Sequence, residues 1–263
     1  MTFPFMPAVS TAPTMRVSDV LDELQNNYAK YVSSIQVGEG DNFHHFDRSA
    51  VGENISNIAS GPQPTVWTPN SVAVNADHVT GVTGLFFSGS KGNGELAAVS
   101  PKFNGVAQTP VAIVENHQGT SAAAYDNAIT YCWSPGLKPS QITSMEFTAP
   151  AQQSDFIGTL LAFLPGRWIP GTHTIPTWTA NVATIAMPAN AILIYDSTYT
   201  PDNTSTVITA LGGGASFIAR SRGNWYGGPE FGIIRGPATA GDITLTRVST
   251  NPTPGYSILT YEQ

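Results

Sequence analysis

Charge is what this sequence has least of. Only 11% of its 263 residues are Asp, Glu, Lys or Arg, less than half the share of an ordinary soluble domain. A freely dissolved monomer normally covers itself with Lys and Glu. The scarcity therefore implies that neighbouring subunits occupy much of the outer surface. The charge present sums to −7, which excludes nucleic-acid binding through bulk electrostatics. The imbalance is local, because residues 1–130 hold 5 basic and 11 acidic side chains and residues 131–263 hold 6 and 7. Neither end carries a basic arm. The single cysteine, Cys132, rules out an internal disulfide and a cysteine-based metal cluster within one chain. Beside Trp133 in an apolar stretch it reads as a small buried hydrophobe, not a nucleophile. No apolar run approaches the roughly eighteen residues a membrane helix needs, so no membrane partner is expected. Residues 1–15 lack the basic start and apolar core of a secretory signal. The sequons Asn54-Ile-Ser56 and Asn203-Thr-Ser205 consequently read as chance matches.

Chemistry-bearing patterns are scarce as well. The 5 histidines, His44, His45, His78, His117 and His173, show no metal-ligand spacing on a helix. His44 and His45 are adjacent, so on a strand they point to opposite faces, and His45 with Asp47 lacks a third ligand. Gly89-Ser-Lys-Gly-Asn-Gly94 has neither the phosphate-loop order nor the dinucleotide fingerprint and reads as a hairpin turn carrying Lys91. Gly212-Gly-Gly214 lies between two strand patterns and reads as a bulge or a place of close backbone approach. Glu146, Asp155, Asp196 and Glu230 are the carboxylates from which a glycosidase pair could be drawn, with Trp168, Trp178 and Trp225 to stack on sugars, but nothing fixes a separation. Arg220-Ser-Arg222-Gly-Asn-Trp225-Tyr226 interleaves base and aromatic. It suits an intersubunit salt bridge better than single-stranded nucleic acid, which two arginines in a −7 chain would hold poorly. No enzyme activity, metal or cofactor is expected.

What the chain does have is Gly, Pro, Thr and strand-length apolar runs. The plan is clearest in Phe156-Ile-Gly-Thr-Leu-Leu-Ala-Phe-Leu-Pro165-Gly166, which looks like a strand buried on both sides and closed by a tight turn. A proline-bearing loop through Trp168, Pro170, His173, Pro176 and Trp178 follows, then strands over Val182–Met187 and Ala191–Tyr195. Further strands are predicted at Thr65–Val74, Val79–Ser88, Glu95–Val99, Thr109–Val114, Asn127–Trp133 and Gln141–Ala149. The tail adds Thr206–Leu211, Ser216–Arg220, Phe231–Ile234, Asp242–Val248 and Tyr256–Thr260. No internal repeat and no strand–helix alternation is visible. The class is all-β, an eight-stranded antiparallel jelly-roll sandwich with elaborated loops drawn from Gln141–Val248. The alternative is one larger roll starting near Thr65. Two parts result, residues 1–64 as arm, helix and linker, and residues 65–263 as the β domain. In the first part Phe3, Phe5 and Met6 sit among prolines, an apolar arm suited to crossing onto a neighbour. An amphipathic helix then runs from Ser18, its expected cap, to about Val37, with Val17, Leu21, Leu24, Tyr28, Tyr31 and Ile35 as one apolar stripe.

The segment Gly158-Thr-Leu-Leu-Ala-Phe-Leu-Pro165-Gly166, with Pro170 and Pro176 after it and Val182–Met187 exiting through Pro188, resembles the jelly-roll capsid proteins of small icosahedral viruses. The picorna-like group is the most similar, and the match covers about 60 residues. The acidic start departs from the basic RNA-binding arms of many coat proteins and agrees with the picorna-like type. The resemblance implies a self-assembling shell subunit in the virion, assembled in host cytoplasm, with an amino-terminal segment lying inside the shell. Its partners would be like or unlike capsid subunits, the genome by weak or indirect contact, and a host receptor. Interface roles then fall to Phe3, Phe5, Leu21, Leu24 and Tyr28 as anchors of the arm and helix. Trp168 and Trp178 would pack at a loop-borne interface, and Arg220 and Arg222 would pair across a seam. A tailless DNA phage coat or spike component is a close rival. The alternative of another class is a carbohydrate-binding β-sandwich, lectin-like or a receptor-binding spike.

Overall fold

A computed structural model describes residues 15–35, 64–69, 76, 78–91, 100–118, 125–148, 156–197, 207–222, 230–248 and 254–262. The amino-terminal part holds helices α1 (Val17–Asn26) and α2 (Tyr28–Tyr31) and strand β1 (Val32–Ile35). Next come β2 (Pro64–Trp67), β3 (Gly81–Lys91), β4 (Ser100–Phe103), β5 (Val106–Ala107) and β6 (Pro110–Gln118). They are followed by β7 (Tyr125–Pro135), β8 (Met145–Thr148) and β9 (Phe156–Pro165). The carboxyl-terminal part supplies β10 (Arg167–Pro170), β11 (Val182–Met187), β12 (Ile192–Ser197) and β13 (Ile208–Gly212). It ends with β14 (Ser216–Arg222), β15 (Glu230–Arg235), β16 (Gly241–Arg247) and β17 (Gly255–Glu262). Every strand pairing among the described residues is antiparallel, so the all-β class holds. Among the described residues, no helix is long and apolar enough to cross a membrane.

The strands form four sheets. Sheet I has the order β2-β8-β4-β5, sheet II β1-β9-β3-β7-β6, sheet III β10-β17-β12-β15-β14, and sheet IV β11-β16-β13. They stack as four layers, and the alternation of side chains along a strand shows why. On β3, Phe86 meets Phe103 of sheet I at 6.0 Å between ring centroids, while its neighbour Phe87 meets Phe231 of sheet III at 5.2 Å. Sheet II is therefore covered on both faces. Sheet III is covered likewise, since Ile192 and Ile194 join the large core while Leu193 and Tyr195 join a second core with Ile185, Met187, Ile243 and Leu245 of sheet IV. This is the physical meaning of the continuous apolar runs, because a strand with no solvated face needs no polar alternation. Fully burying each such Phe or Leu stabilises by about 1.5–3 kcal/mol.

The strand of sheet II that ends in Pro165-Gly166 passes directly into β10 of sheet III. Gly166 makes that corner with φ +84°, and a β-carbon there would lie 2.4 Å from the Tyr261 ring. The Thr83 hydroxyl fastens the corner from both ends, donating to Gly166 C=O (2.9 Å) and accepting from Trp168 N–H (2.9 Å).

Several local expectations change. The apolar stripe predicted one helix to Val37, yet α1 ends at Asn26 and the chain reaches β1 at Val32. Residues Val32 to Ile35 pair with Ala162 to Thr159 of β9, so the sheet edge satisfies backbone groups that a β-branched helix turn would hold less well. The helix begins at Val17, one residue before the predicted cap Ser18. Its first turn is closed by the Asp19 carboxylate, which accepts from Arg16 N–H at 3.2 Å. Trp168, expected in a loop, lies on β10, whose partner β17 comes from the end of the chain. Thr65–Val74 is realised as β2, ending at Trp67. The arm residues Phe3 and Phe5, the His44-His45 motif and the predicted strand Glu95–Val99 lie outside the described residues. The helices and β1 pack into the same core as β3 and β9, through Val20, Leu21, Leu24, Tyr31 and Val32.

Candidate functional site

Three places concentrate polar groups. The first is the seam between sheets II and III. Ile129 and Tyr131 of β7 and Ile192 and Ile194 of β12 share the large core, and buried Asn127 and Asp196 of the same two strands add a polar contact to it. Asn127 Nδ2 donates to Asp196 Oδ2 at 3.3 Å, and His173 Nε2 lies 2.7 Å from Asp196 Oδ1. The Asp196 carboxylate is 2% exposed and the His173 ring 14%. Gly255 makes room for the pair, since a β-carbon there would fall 2.2 Å from His173 Cε1. Burial is the main cause that raises the Tyr131 phenol well above its ordinary value, and the Asp196 charge adds to it. A carboxylate this sealed does not reach a substrate in solvent. The pair pins the loop after β10 to β12 and, through Asn127, sheet III to sheet II.

The second place is Glu230, fully buried on the other face of sheet III. It accepts from Tyr195 O–H (2.6 Å), Val207 N–H (2.6 Å) and Ile208 N–H (3.2 Å). Burial raises its carboxyl above the ordinary range, against the pull of those hydrogen bonds. Asp196 pairs in register with Phe231, and Glu230 with Ser197, so the two carboxylates point to opposite faces. Glu146 of β8 is taken by Lys102 Nζ at 2.6 Å, and Asp155 lies outside the described residues. No glycosidase pair is brought together among Glu146, Asp196 and Glu230.

The third is a cleft of about 350 Å³ at the β9–β10 corner, lined by Met15, the stretch from His78 to Thr80, Trp133, Gly166, Arg167, Tyr261 and Glu262. Sequence reading missed it, because its lining comes from five separate stretches of chain. The cue in sequence was Pro165-Gly166 alone.

No protein-family model, no curated protein and no solved structure matches this chain.

The predicted interface residues are dispersed. Leu21 and Leu24 are fully buried in the chain's own core, and Tyr28 packs half-buried against it. Trp168 is 1% exposed, its indole N–H donating to Pro165 C=O at 3.0 Å, so it is core and not a loop-borne contact. Trp178 is half-buried with the Arg247 guanidinium 4.7 Å from its ring. Arg220 lies 5.0 Å from the Phe217 ring and donates to Ile208 C=O at 3.4 Å. Its charge is used within the chain, beside Glu230. The Arg222 side chain lies outside the described residues.

One surface has little charge. Sheet IV turns Ala183, Ile185 and Met187 inward and leaves Val182, Thr184 and Ala186 outward. Across the register these meet Thr246, Thr244 and Asp242, and Ala210 lies opposite Thr246 on the far side. Apart from Asp242 at one end, these seven outward positions are small and uncharged.

Proposed function

We propose that this chain is a structural subunit of an icosahedral virus capsid, assembling with its copies through the β domain and the amino-terminal arm to enclose a genome. The observation that carries the reading is the strand order of residues 167–262. β10 lies beside β17, β11 beside β16 and β12 beside β15, so the pairs nest from the outside inward. Nested pairing split over two facing sheets is the wiring of a jelly roll, the architecture used by many viral shells. The departure from an ideal roll is β14, which joins β15 at the edge of sheet III and leaves sheet IV with three strands. The charge-poor outer face of sheet IV supports the reading further, since interface centres are depleted of charged side chains. Jelly rolls also serve as lectins, but of the three tryptophans expected to stack on sugars, Trp168 is buried, Trp178 is half-buried against Arg247, and Trp225 lies outside the described residues.

Particle size is the test. Light scattering and electron microscopy of the purified chain at neutral pH should reveal closed particles of many subunits. A species that stays monomeric over a wide concentration range, alone and with any companion chains, overturns the proposal.

A further inference from the structure

We propose that the cleft at the β9–β10 corner is a binding site for a neutral saccharide. Its lining includes one rung of the β10–β17 ladder, where Arg167 stands opposite Glu262, together with Tyr261 of the next rung. Arg167 Nη1 and Glu262 Oε2 are 2.7 Å apart, and the guanidinium also lies 6.0 Å from the Trp133 ring centroid. The pair is thus held on rigid elements yet keeps both side chains about half exposed, at 48% and 49%. A guanidinium and a carboxylate side by side offer both donors and acceptors to vicinal hydroxyls. Trp133 and Tyr261 supply aromatic wall for the apolar face of a sugar ring, and His78 and Thr80 add polar groups to the lining. A volume of about 350 Å³ lies within the range of small-ligand sites.

Charge selects the ligand class. Arg167 is already matched by Glu262, so the one arginine lining the cleft is not free for a phosphate, sulfate or sialyl carboxylate. The chain's net charge of −7 repels such anions further. A neutral polyol with one apolar face satisfies the walls and the polar pair together. The site stands whether or not the chain assembles, and sizing the same sample keeps the two proposals separate.

The experiment is saturation-transfer NMR on the full chain with a panel of neutral methyl hexosides, N-acetylhexosaminides and short neutral oligosaccharides, beside sialylated and sulfated glycans and nucleotides. At least one neutral saccharide should bind. Arg167→Ala and Glu262→Gln should each weaken it about tenfold or more, the effect of losing one charged hydrogen-bond partner. Both positions are half exposed, so thermal melts of the variants should match the parent. Silence across the neutral panel overturns the proposal, as does binding unchanged in both variants or a preference for the anionic ligands.

Discussion

Glu230 is a carboxyl that the fold keeps from ionising freely. Its pKa is raised above the ordinary 4.5 by burial, although three donors face it. As pH rises through the ordinary value, the unfolded chain releases this proton while the folded chain retains it. The stability that Glu230 lends is therefore full below about 4.5 and is lost as pH climbs to the raised folded value. Denaturant unfolding of the parent against Glu230→Gln should reveal that dependence in the parent alone. Glu230→Ala strands Tyr195 O–H and two backbone N–H groups, and should cost about 3 kcal/mol or more. Cys132 poses a simpler question, since burial pushes its thiol up to about 12. A thiol reagent at mildly alkaline pH should leave the native chain untouched and label it only after unfolding. That reading follows from the sequence, where an isolated cysteine sits beside tryptophan in an apolar run.

Among the elements, the corner from β9 to β10 bears the most consequence, because it couples sheet II to sheet III. Thr83→Val keeps the shape and removes both hydroxyl hydrogen bonds, leaving Gly166 C=O and Trp168 N–H buried without that partner. The expected loss is about 2–3 kcal/mol, measured as a shift in denaturant midpoint with unchanged slope. The Pro165-Gly166 turn was legible in the sequence; the strand after it was not. Arg167–Pro170 has too few residues to show a period, and it becomes a strand only because Leu259 to Glu262 lie alongside. The helix errs the other way. Tyr31 and Ile35 extend a helical stripe on paper, but a free edge at β9 draws Val32–Ile35 into the sheet.

For the whole molecule, one core runs from sheet I through sheet II to the inner face of sheet III and includes α1. Fluorescence and far-ultraviolet circular dichroism should therefore report one coincident unfolding transition. Two separated transitions would show that the halves fold independently. The same core decides how an arm should be tested. Removing residues 1–37 would strip Leu21, Leu24 and Tyr31 from the core and take β1 from the edge of β9, so lost assembly would be uninterpretable. Removing residues 2–14 leaves the described elements whole. If the arm ties subunits together, this deletion lowers particle yield with the melting temperature unchanged.

The strand runs, the tight turns and the lack of charge were determined by the sequence alone, because they depend on residue type and near-neighbour spacing. The four-layer stacking, the nested pairing and the meeting of His173 with Asp196 were decided only in three dimensions. Strand partners lie far apart along the chain, and no local period records which edges will meet or which face a second sheet will cover.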